Sequence, residues 1–292
     1  MGRKSTLERA SKEILALFRE RPDKIFRYSD LRRILDNNRN RWLLAKSISM
    51  KRIINFLIEK GDLRLFKFPF PNQKEHRYTW GNVSLYAIVN TLRSQGYFSH
   101  YSAIFIHDLT EQVPKTLYYN VEQGVRNPGK GKLVQYRIDS AFNRKPRMTN
   151  NIAQVDKYRV CQLNGKCTNR LGVIELEDPD GEFVFVTNLE RTLIDIVVRP
   201  FYSGGIYEII KAYRNAAGRL STNRMASYLR KIDYIYPYHQ CIGFLLEYAG
   251  NYSSDAIDIF RQFPRDYDFY LTHQMEDKNY NKDWKLFIPK GL

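Results

Sequence analysis

The sequence predicts an α+β protein with a small N-terminal domain, residues 1–80, and a larger mixed α/β domain, residues 81–292. Helical and extended patterns follow one another in mixed order along the second domain, which is typical of packed α+β layers. Positive charge is concentrated at one end, because residues 1–80 hold 20 Lys and Arg against 9 Asp and Glu, and the remainder holds 27 against 22. Hydrophobic residues make up 43% of the chain, as in a folded protein.

The N-terminal domain shows three amphipathic helical patterns and then two extended segments. Each helix has apolar residues at helical spacing, and caps or terminators lie at its ends. In order, the predicted elements are a helix over Thr6–Arg21 with a Ser5 or Thr6 cap, an extended Phe26–Tyr28, a helix from Ser29 through Leu35, a polar break over Asn37–Arg41, a helix from Ser49 to Gly61, and strands Leu63–Phe68 and His76–Trp80. This order is that of a winged helix-turn-helix, and Gly81–Asn82 marks its predicted end.

The third helix has the pattern of a DNA-recognition helix. Its opposite side carries Lys51, Arg52, Asn55 and Glu59, with Ser49 at the entrance. The apolar stripe predicted to face the core consists of Met50, Ile53, Ile54, Leu57 and Ile58. Arg and Lys reach guanine acceptors or phosphates, and Asn pairs with adenine edges. Contacts to the phosphate backbone are predicted for Arg32 and Arg33 on the second helix and for Lys74, His76 and Arg77 in the wing. A solvated charged face is the alternative interpretation.

Beyond Asn82, helical and strand patterns are interleaved without internal repeats. The predicted helices are Ser84–Gln95, Ser99–His107, Leu189–Val198, Gly205–Ala217, Thr222–Ile232 and Tyr238–Ala249. The predicted strands are Lys115–Glu122, Leu133–Ile138, Arg159–Leu163, Phe183–Val186, Asp268–Thr272 and Trp284–Ile288. This order predicts the mixed α/β body of the second domain.

Four stretches of this body carry a family resemblance. They read YFSHYSAIFIHDLTEQVPKTLY (97–118), VTNLERTLIDIVVRPFYSGG (186–205), DYIYPYHQCIGFLLEYAG (233–250) and DYDFYLTH (266–273). On these residues the chain resembles the AbiEi antitoxins of bacterial abortive-infection, or type IV, toxin–antitoxin systems, over almost its whole length. The resemblance implies an N-terminal domain that represses its own operon's promoter. It also implies a C-terminal domain that counteracts a nucleotidyltransferase toxin encoded beside it.

Residues 186–205 are predicted to form a strand that leads into a helix capped by Asn188. The stripe of Leu189, Leu193, Ile196 and Val197 is predicted to be buried, and Glu190, Arg191, Asp195 and Arg199 lie off it. Arg191 and Asp195 are four residues apart on a helix and can form an ion pair. One interpretation is a capped core helix with surface ion pairs. The other makes the four charged residues an antitoxic or partner-binding surface.

No catalytic, metal or cofactor site is predicted. Residues Gly124–Lys130 match G-x-x-x-x-G-K, but Gly131 stands where a phosphate loop has Ser or Thr, and Pro128 interrupts the loop. The three cysteines lack paired spacing, and the five histidines lack metal-ligand spacing. No apolar run approaches the roughly twenty residues of a membrane span, and the N-terminus lacks a signal-peptide core, so a cytoplasmic protein is expected.

The predicted function is therefore that of a non-enzymatic, DNA-binding antitoxin. Its expected partners are double-stranded DNA of its own promoter, with inverted repeats, and a nucleotidyltransferase toxin. A stand-alone transcriptional repressor is the first alternative. A DNA-targeted nuclease is the second, with candidate acids around a predicted turn at Glu175, Glu177, Asp178, Asp180 and Glu182. The third is a protein-interaction module that binds no DNA.

Overall fold

The computed structural model describes residues 6–125 and 132–292. The predicted cap Ser5 and most of the Gly124–Lys130 turn lie outside these residues. Within the described ranges, helices and strands form an α+β arrangement in which the strands pair into three sheets. None of the helices in these ranges is long and apolar enough to cross a membrane.

The N-terminal region combines a group of helices with a small antiparallel sheet. Its elements are α1 (Thr6–Arg9), α2 (Ser11–Glu20), β1 (Ile25–Phe26), α3 (Tyr28–Asn38), α4 (Met50–Lys60), β2 (Leu63–Pro69) and β3 (Lys74–Trp80). The strand order is β1-β3-β2, and β2 and β3 form an antiparallel hairpin. Apolar side chains from the helices and the hairpin share one core, in which the rings of Phe18 and Trp80 stack with centroids 5.2 Å apart.

The β2–β3 hairpin also packs against the rest of the molecule. Successive side chains of a strand point to opposite faces of the sheet. Leu63 and Trp80 face the N-terminal helices, but Phe68 is 0% exposed and packs with Phe70 into a different core, formed by residues of the C-terminal region. The two regions therefore meet through an apolar contact as well as through the connection at Gly81–Asn82.

The C-terminal region contains a large sheet, a layer of helices and a smaller sheet. Its helices are α5 (Leu85–Asn90), α6 (His100–Ile106), α7 (Gln135–Phe142), α8 (Leu189–Val198), α9 (Ile206–Asn215), α10 (Thr222–Ile232), α11 (Tyr238–Ala249) and α12 (Ser254–Arg261). Its strands are β4 (Tyr97–Phe98), β5 (Thr116–Glu122), β6 (Ile152–Val155), β7 (Tyr158–Gly165), β8 (Val173–Glu177), β9 (Phe183–Thr187), β10 (Phe269–Tyr270), β11 (Lys278–Asn281) and β12 (Leu286–Pro289).

The large sheet is mixed, with the strand order β6-β7-β5-β4-β9-β8. Strand β5 pairs in parallel with β7, and β4 pairs in parallel with β9, while the other neighbours are antiparallel. The smaller sheet has the order β10-β12-β11. Helix α8 follows β9 directly and packs against α6, α9, α10 and α11, so it lies at the centre of the helical layer.

Several predicted elements differ from the structure for local reasons. The predicted strand Leu133–Ile138 is wrong, because α7 begins at Gln135 and buries Ile138 and Phe142, which are one helical turn apart. In so short a segment, apolar residues fit both the two-residue and the helical period. The predicted helix Thr6–Arg21 is divided at Ala10 into α1 and α2, and helix α12 was not predicted.

Candidate nucleic-acid interface

Helix α4 forms because its sequence supplies a cap, an apolar face and a stop. Ser49 Oγ accepts a hydrogen bond from Arg52 N at 3.3 Å, and Gly61 N donates to Leu57 O at 3.1 Å. The face that packs into the N-terminal core consists of Ile53, Ile54, Phe56 and Leu57. The predicted cap and end are confirmed, although Ile58 of the predicted stripe is 42% exposed and Phe56 is buried instead.

The other side of α4 presents polar side chains to solvent. Ser49, Lys51, Arg52 and Asn55 are all exposed, and they line one open depression of about 430 Å³. Glu59 lines the same depression from the last turn of the helix, while the first turn holds no acidic residue. Glu8 of α1 also lines this depression, so the residues predicted to read bases lie side by side on one accessible surface that carries charges of both signs.

Arg32 and Arg33 are exposed on α3, where each contacts a carboxylate of the same helix. Arg32 Nε lies 3.7 Å from Asp36 Oδ2, and Arg33 Nη2 lies 3.2 Å from Asp30 Oδ1. Arg33 lines a different depression from the one beside α4. Exposed ion pairs of this kind are worth at most about 1 kcal/mol, so both guanidinium groups remain available to a phosphate.

The β2–β3 hairpin has one basic face. Lys67 lies directly opposite His76 in the strand register, and Lys74 lies two residues before His76, so the three side chains share a face. All three are exposed. Lys67 was not among the predicted phosphate contacts, because its position opposite His76 depends on the register of the hairpin.

Arg77 does not belong to this face, and its predicted contact with DNA phosphates is wrong. It points to the opposite side of the hairpin from His76, into the boundary with the C-terminal region, and is 3% exposed. Its Nε donates to Thr91 Oγ1 at 3.0 Å, and its Nη2 donates to Thr91 O at 2.9 Å. Its guanidinium therefore joins β3 to the end of α5.

Glu75 strengthens this attachment by contacting two arginines. Its Oε2 lies 3.2 Å from Arg77 Nη1, and its Oε1 lies 2.8 Å from Arg93 Nη1. Burial raises the pKa of Glu75, but the hydrogen bonds from Arg93 and Arg77 outweigh burial, so the pKa lies below its ordinary value of 4.5. The carboxylate is therefore charged at neutral pH and holds the hairpin against the C-terminal region.

The four charged residues predicted as a partner-binding surface on α8 do not form a surface. Glu190, Arg191 and Asp195 are 3%, 4% and 6% exposed, and Arg199 is partly buried. The helix is covered on every side by the neighbouring helices and by β9. Ile194 extends the apolar surface beyond the predicted stripe, and the buried hydroxyl of Thr192 donates to Thr187 O at 3.0 Å, so both sides of the helix are enclosed.

These charged residues instead link parts of the C-terminal region. Glu190 accepts a hydrogen bond from Ser221 N at 3.1 Å and lies 3.3 Å from Arg224 Nη1, which joins α8 to the start of α10. Arg191 Nε donates to Asp195 Oδ1 at 2.8 Å, so the predicted ion pair is present, but buried. Burial lowers the pKa of Arg191, but the Asp195 carboxylate outweighs burial and raises it.

A partly buried carboxylate that was not predicted is that of Glu122 on β5. It accepts hydrogen bonds from the backbone N and the hydroxyl of Thr168 and from Tyr97 OH. Burial raises the pKa of Glu122, but these hydrogen bonds outweigh burial and lower it below 4.5. Arg191 Nη1 donates to Thr168 Oγ1 at 3.1 Å, so the connection after β7 is held between β5 and α8.

The acidic residues considered for a nuclease organise a turn. Asp178 is buried, and its Oδ1 accepts hydrogen bonds from Asp180 N at 2.9 Å and from Glu182 N at 3.0 Å. Its other oxygen accepts a hydrogen bond from Ser84 Oγ. In the part of the chain that the structure describes, no group of three or more His, Cys, Asp or Glu side chains is placed to hold a metal ion.

Comparisons with known proteins establish a shared fold. No family model matches the chain, and no curated protein sequence matches it. Among solved structures, the chain is similar to the crystal structure of the RV2827C protein from Mycobacterium tuberculosis, with a TM-score of 0.62 and 13% sequence identity. The match covers 95% of this chain and 90% of that chain. The two proteins therefore share their overall fold across nearly their whole lengths.

Proposed function

We propose that the chain is a DNA-binding antitoxin that represses its own toxin–antitoxin operon. The observation that carries the DNA-binding half is the polar face of α4, on which Ser49, Lys51, Arg52 and Asn55 line one accessible depression. The order of helices and strands around α4 supports the proposal of a winged helix-turn-helix, in which α4 is the recognition helix and the β2–β3 hairpin is the wing. The excess positive charge of residues 1–80 matches the phosphate backbone.

In this proposal, α4 contacts the bases and the β2–β3 hairpin contacts the phosphate backbone. The start of α4 enters the major groove, where Lys51 and Arg52 reach guanine acceptors and Asn55 reaches an adenine edge. The basic face of the hairpin, formed by Lys67, Lys74 and His76, contacts phosphates and sets the orientation of the helix. A single module covers too few base pairs for a specific operator, so two copies bind inverted repeats.

The second half of the proposal is that the C-terminal region counteracts a nucleotidyltransferase toxin encoded beside this chain. Its support is the resemblance of four stretches of this region to AbiEi antitoxins. Because Glu190, Arg191 and Asp195 are buried, they act on the toxin only indirectly, through the packing of α8. Glu190 holds α8 to the start of α10, and Arg191 pairs with Asp195 and holds the connection after β7. The surface that opposes the toxin therefore lies on other residues of the region.

Charge reversal on α4 tests the DNA-binding half. Lys51→Glu combined with Arg52→Glu replaces two attractive contacts with repulsion, so we expect DNA binding at least about 100-fold weaker, at about 1–3 kcal/mol for each lost contact. Fluorescence anisotropy with a labelled duplex of the DNA immediately upstream of the coding sequence measures the affinity. The wild type should prefer this duplex over a shuffled one, and its affinity should fall steeply with salt.

The matched control reverses two charges on the C-terminal region. Lys231 and Lys282 are exposed there, so Lys231→Glu combined with Lys282→Glu changes the net charge equally without touching α4. We expect this variant to bind within about threefold of the wild type, because distant surface charges act only through screened interactions. Equal losses in both variants, or a wild type without preference for the upstream duplex, would overturn the DNA-binding half.

Co-expression tests the antitoxin half. If the neighbouring reading frame encodes the toxin, its expression alone should arrest growth, and this chain should relieve the arrest. The variant Lys51→Glu with Arg52→Glu should relieve it as well when both genes are placed under foreign promoters, because neutralisation is assigned to the C-terminal region. Arrest that persists, or a neighbour unrelated to nucleotidyltransferases, would leave a stand-alone repressor.

A further inference from the structure

The connection between α3 and α4 exposes an apolar side chain in an unfavourable backbone conformation. Leu43 is 81% exposed and has a φ of 50°. The left-handed region is unfavourable for residues with a Cβ, and Gly or Asn usually occupies it where a helix ends. An exposed leucine at such a position costs stability through its backbone and gains none from burial of its side chain.

Hydrogen bonds and packing hold Leu43 in this conformation. Leu43 N donates to Asn40 O at 3.1 Å and Leu44 N donates to Arg39 O at 3.0 Å, which is the Schellman pattern that ends a helix. The neighbours Trp42 and Leu44 are 4% and 6% exposed. Because both neighbours are anchored in the core, the side chain between them is held out in solvent.

Arg39 ties this connection to the start of α4. Its Nη1 donates to Ala45 O at 2.7 Å, and its Nη2 donates to Ile48 O at 3.2 Å, immediately before the cap Ser49. Leu43 therefore has a fixed position relative to the helix assigned to base recognition.

The charge around Leu43 indicates what it contacts. Residues 39–52 contain Arg39, Arg41, Lys46, Lys51 and Arg52 and no Asp or Glu. Arg41 Nε lies 3.8 Å from Glu13 Oε2 of α2, an exposed ion pair that leaves the guanidinium accessible. A protein surface would need a dense cluster of carboxylates to match this segment. A DNA duplex offers phosphates next to the apolar faces of sugars and thymine methyl groups, which match both the charges and the leucine.

We infer that Leu43 is a DNA-contacting residue that packs against a sugar or a thymine methyl at the edge of the groove entered by α4. Arg41 and Lys46 hold the adjoining phosphates. This inference rests on the proposed DNA-binding function and adds to it an apolar contact outside the recognition helix. Apolar side chains inserted beside phosphate contacts are a known means of fixing a protein on a duplex. The contact explains why an exposed, strained leucine is present at this turn.

The variants Leu43→Gly and Leu43→Met test the inference. Glycine accepts a positive φ and removes the side chain, so we expect Tm to rise by about 2–4 °C. We expect the Kd for the upstream duplex to rise about tenfold, because the apolar contact is lost. Methionine keeps an apolar side chain of similar volume and should bind within about threefold of the wild type. A residue with only a structural role would not improve stability while weakening binding.

The anisotropy assay compares these variants with the wild type and with the Lys51→Glu, Arg52→Glu variant. If Leu43→Gly binds as tightly as the wild type and only the charge-reversal variant loses affinity, the inference is overturned and the proposed function stands. If the wild type shows no preference for the upstream duplex, both are overturned. If Leu43→Gly changes the oligomeric state in analytical ultracentrifugation, Leu43 belongs to a contact between copies, and the inference is again overturned.

Discussion

Arg77 and Lys74 lie three residues apart on β3, and their environments are opposite. Arg77 is 3% exposed and hydrogen-bonded, and Lys74 is exposed. Arg77→Ala removes two hydrogen bonds to Thr91 and leaves Glu75 with one arginine, so we expect the free energy of unfolding to fall by about 2–4 kcal/mol. Lys74→Ala should change it by less than about 0.5 kcal/mol. Urea unfolding followed by tryptophan fluorescence measures both, and equal effects would contradict the placement of Arg77.

Part of this difference between residues can be read from the sequence. A strand that places Lys74 and His76 on one face must place Arg77 on the other, so the predicted wing set was inconsistent with its own two-residue period. What covers the second face could not be predicted, because Thr91 and Arg93 reach it only after the chain has passed through α5. The cap at Ser49 was predicted correctly because it depends on residues within a single turn.

The β2–β3 hairpin belongs to two cores, and neighbouring positions on β2 test this. Phe68 is 0% exposed in the core of the C-terminal region, and Leu65, on the other face, is 38% exposed. We expect Phe68→Ala to lower the free energy of unfolding by about 3–5 kcal/mol, because it leaves a cavity in a packed core. Leu65→Ala should lower it by less than about 1 kcal/mol. Chemical denaturation measures the free energy of unfolding of both variants.

A second outcome of the same experiment concerns the packing of the hairpin. If Phe68→Ala unfolds at the same denaturant concentration as the wild type, the hairpin is not anchored in the C-terminal region. Hydrogen exchange should also increase at α5 in this variant, since α5 contributes Ile88 and Val89 to the same core. Unchanged exchange at α5 would argue against a shared core.

Helix α8 marks the limit of pattern-based prediction for an element. Its position, its cap Asn188 and the Arg191–Asp195 pair follow from spacing and are confirmed. Its burial on every side depends on helices α9, α10 and α11, which follow later in the chain. The apolar pattern of one helix does not reveal which other helices will cover it. Ile194, which lies off the predicted stripe, was the available signal, because it widens the apolar face of the helix beyond a single stripe.

The whole molecule should lose stability in mild acid because four of its histidines are shielded. Burial lowers the pKa of His100, His107 and His273 below the ordinary 6.5, and that of His239 to about 4. As pH falls below about 6.5, the unfolded chain binds protons that the folded chain does not, so stability is full above this pH and declines toward pH 4. Urea midpoints at about pH 8, 6 and 5 should therefore decrease in that order.

A non-titrating variant supplies the control for this pH dependence. His239 contacts Pro264 O through Nε2 at 2.9 Å, and His239→Gln keeps a side chain that can donate to this carbonyl. The variant should lose less stability between about pH 7 and pH 5 than the wild type. The same pH slope in both proteins would show that His239 titrates normally. The lowered pKa values of Glu75 and Glu122 act in a separate window, below about pH 4.5.

At the scale of the molecule, the fold class could be predicted from the sequence, but the topology of the large sheet could not. The α+β class and the concentration of charge in residues 1–80 follow from counts and local patterns. The order β6-β7-β5-β4-β9-β8 could not be predicted, because its parallel pairs join strands that are far apart in the chain. The short strand β6 and the edge strand β8 were also missed, although each forms an antiparallel pair with the strand that follows it in the chain.

Under the proposed function, a hairpin with one face in each region couples the binding of DNA to the binding of a toxin. If a toxin bound to the C-terminal region displaces Phe68 or Arg77, it also displaces Lys67 and His76 on the reverse side of the same strands. Any factor by which the toxin changes operator affinity is then the factor by which the operator changes toxin affinity. The ratio of toxin to antitoxin in the cell would in this way set the level of transcription without a separate sensor.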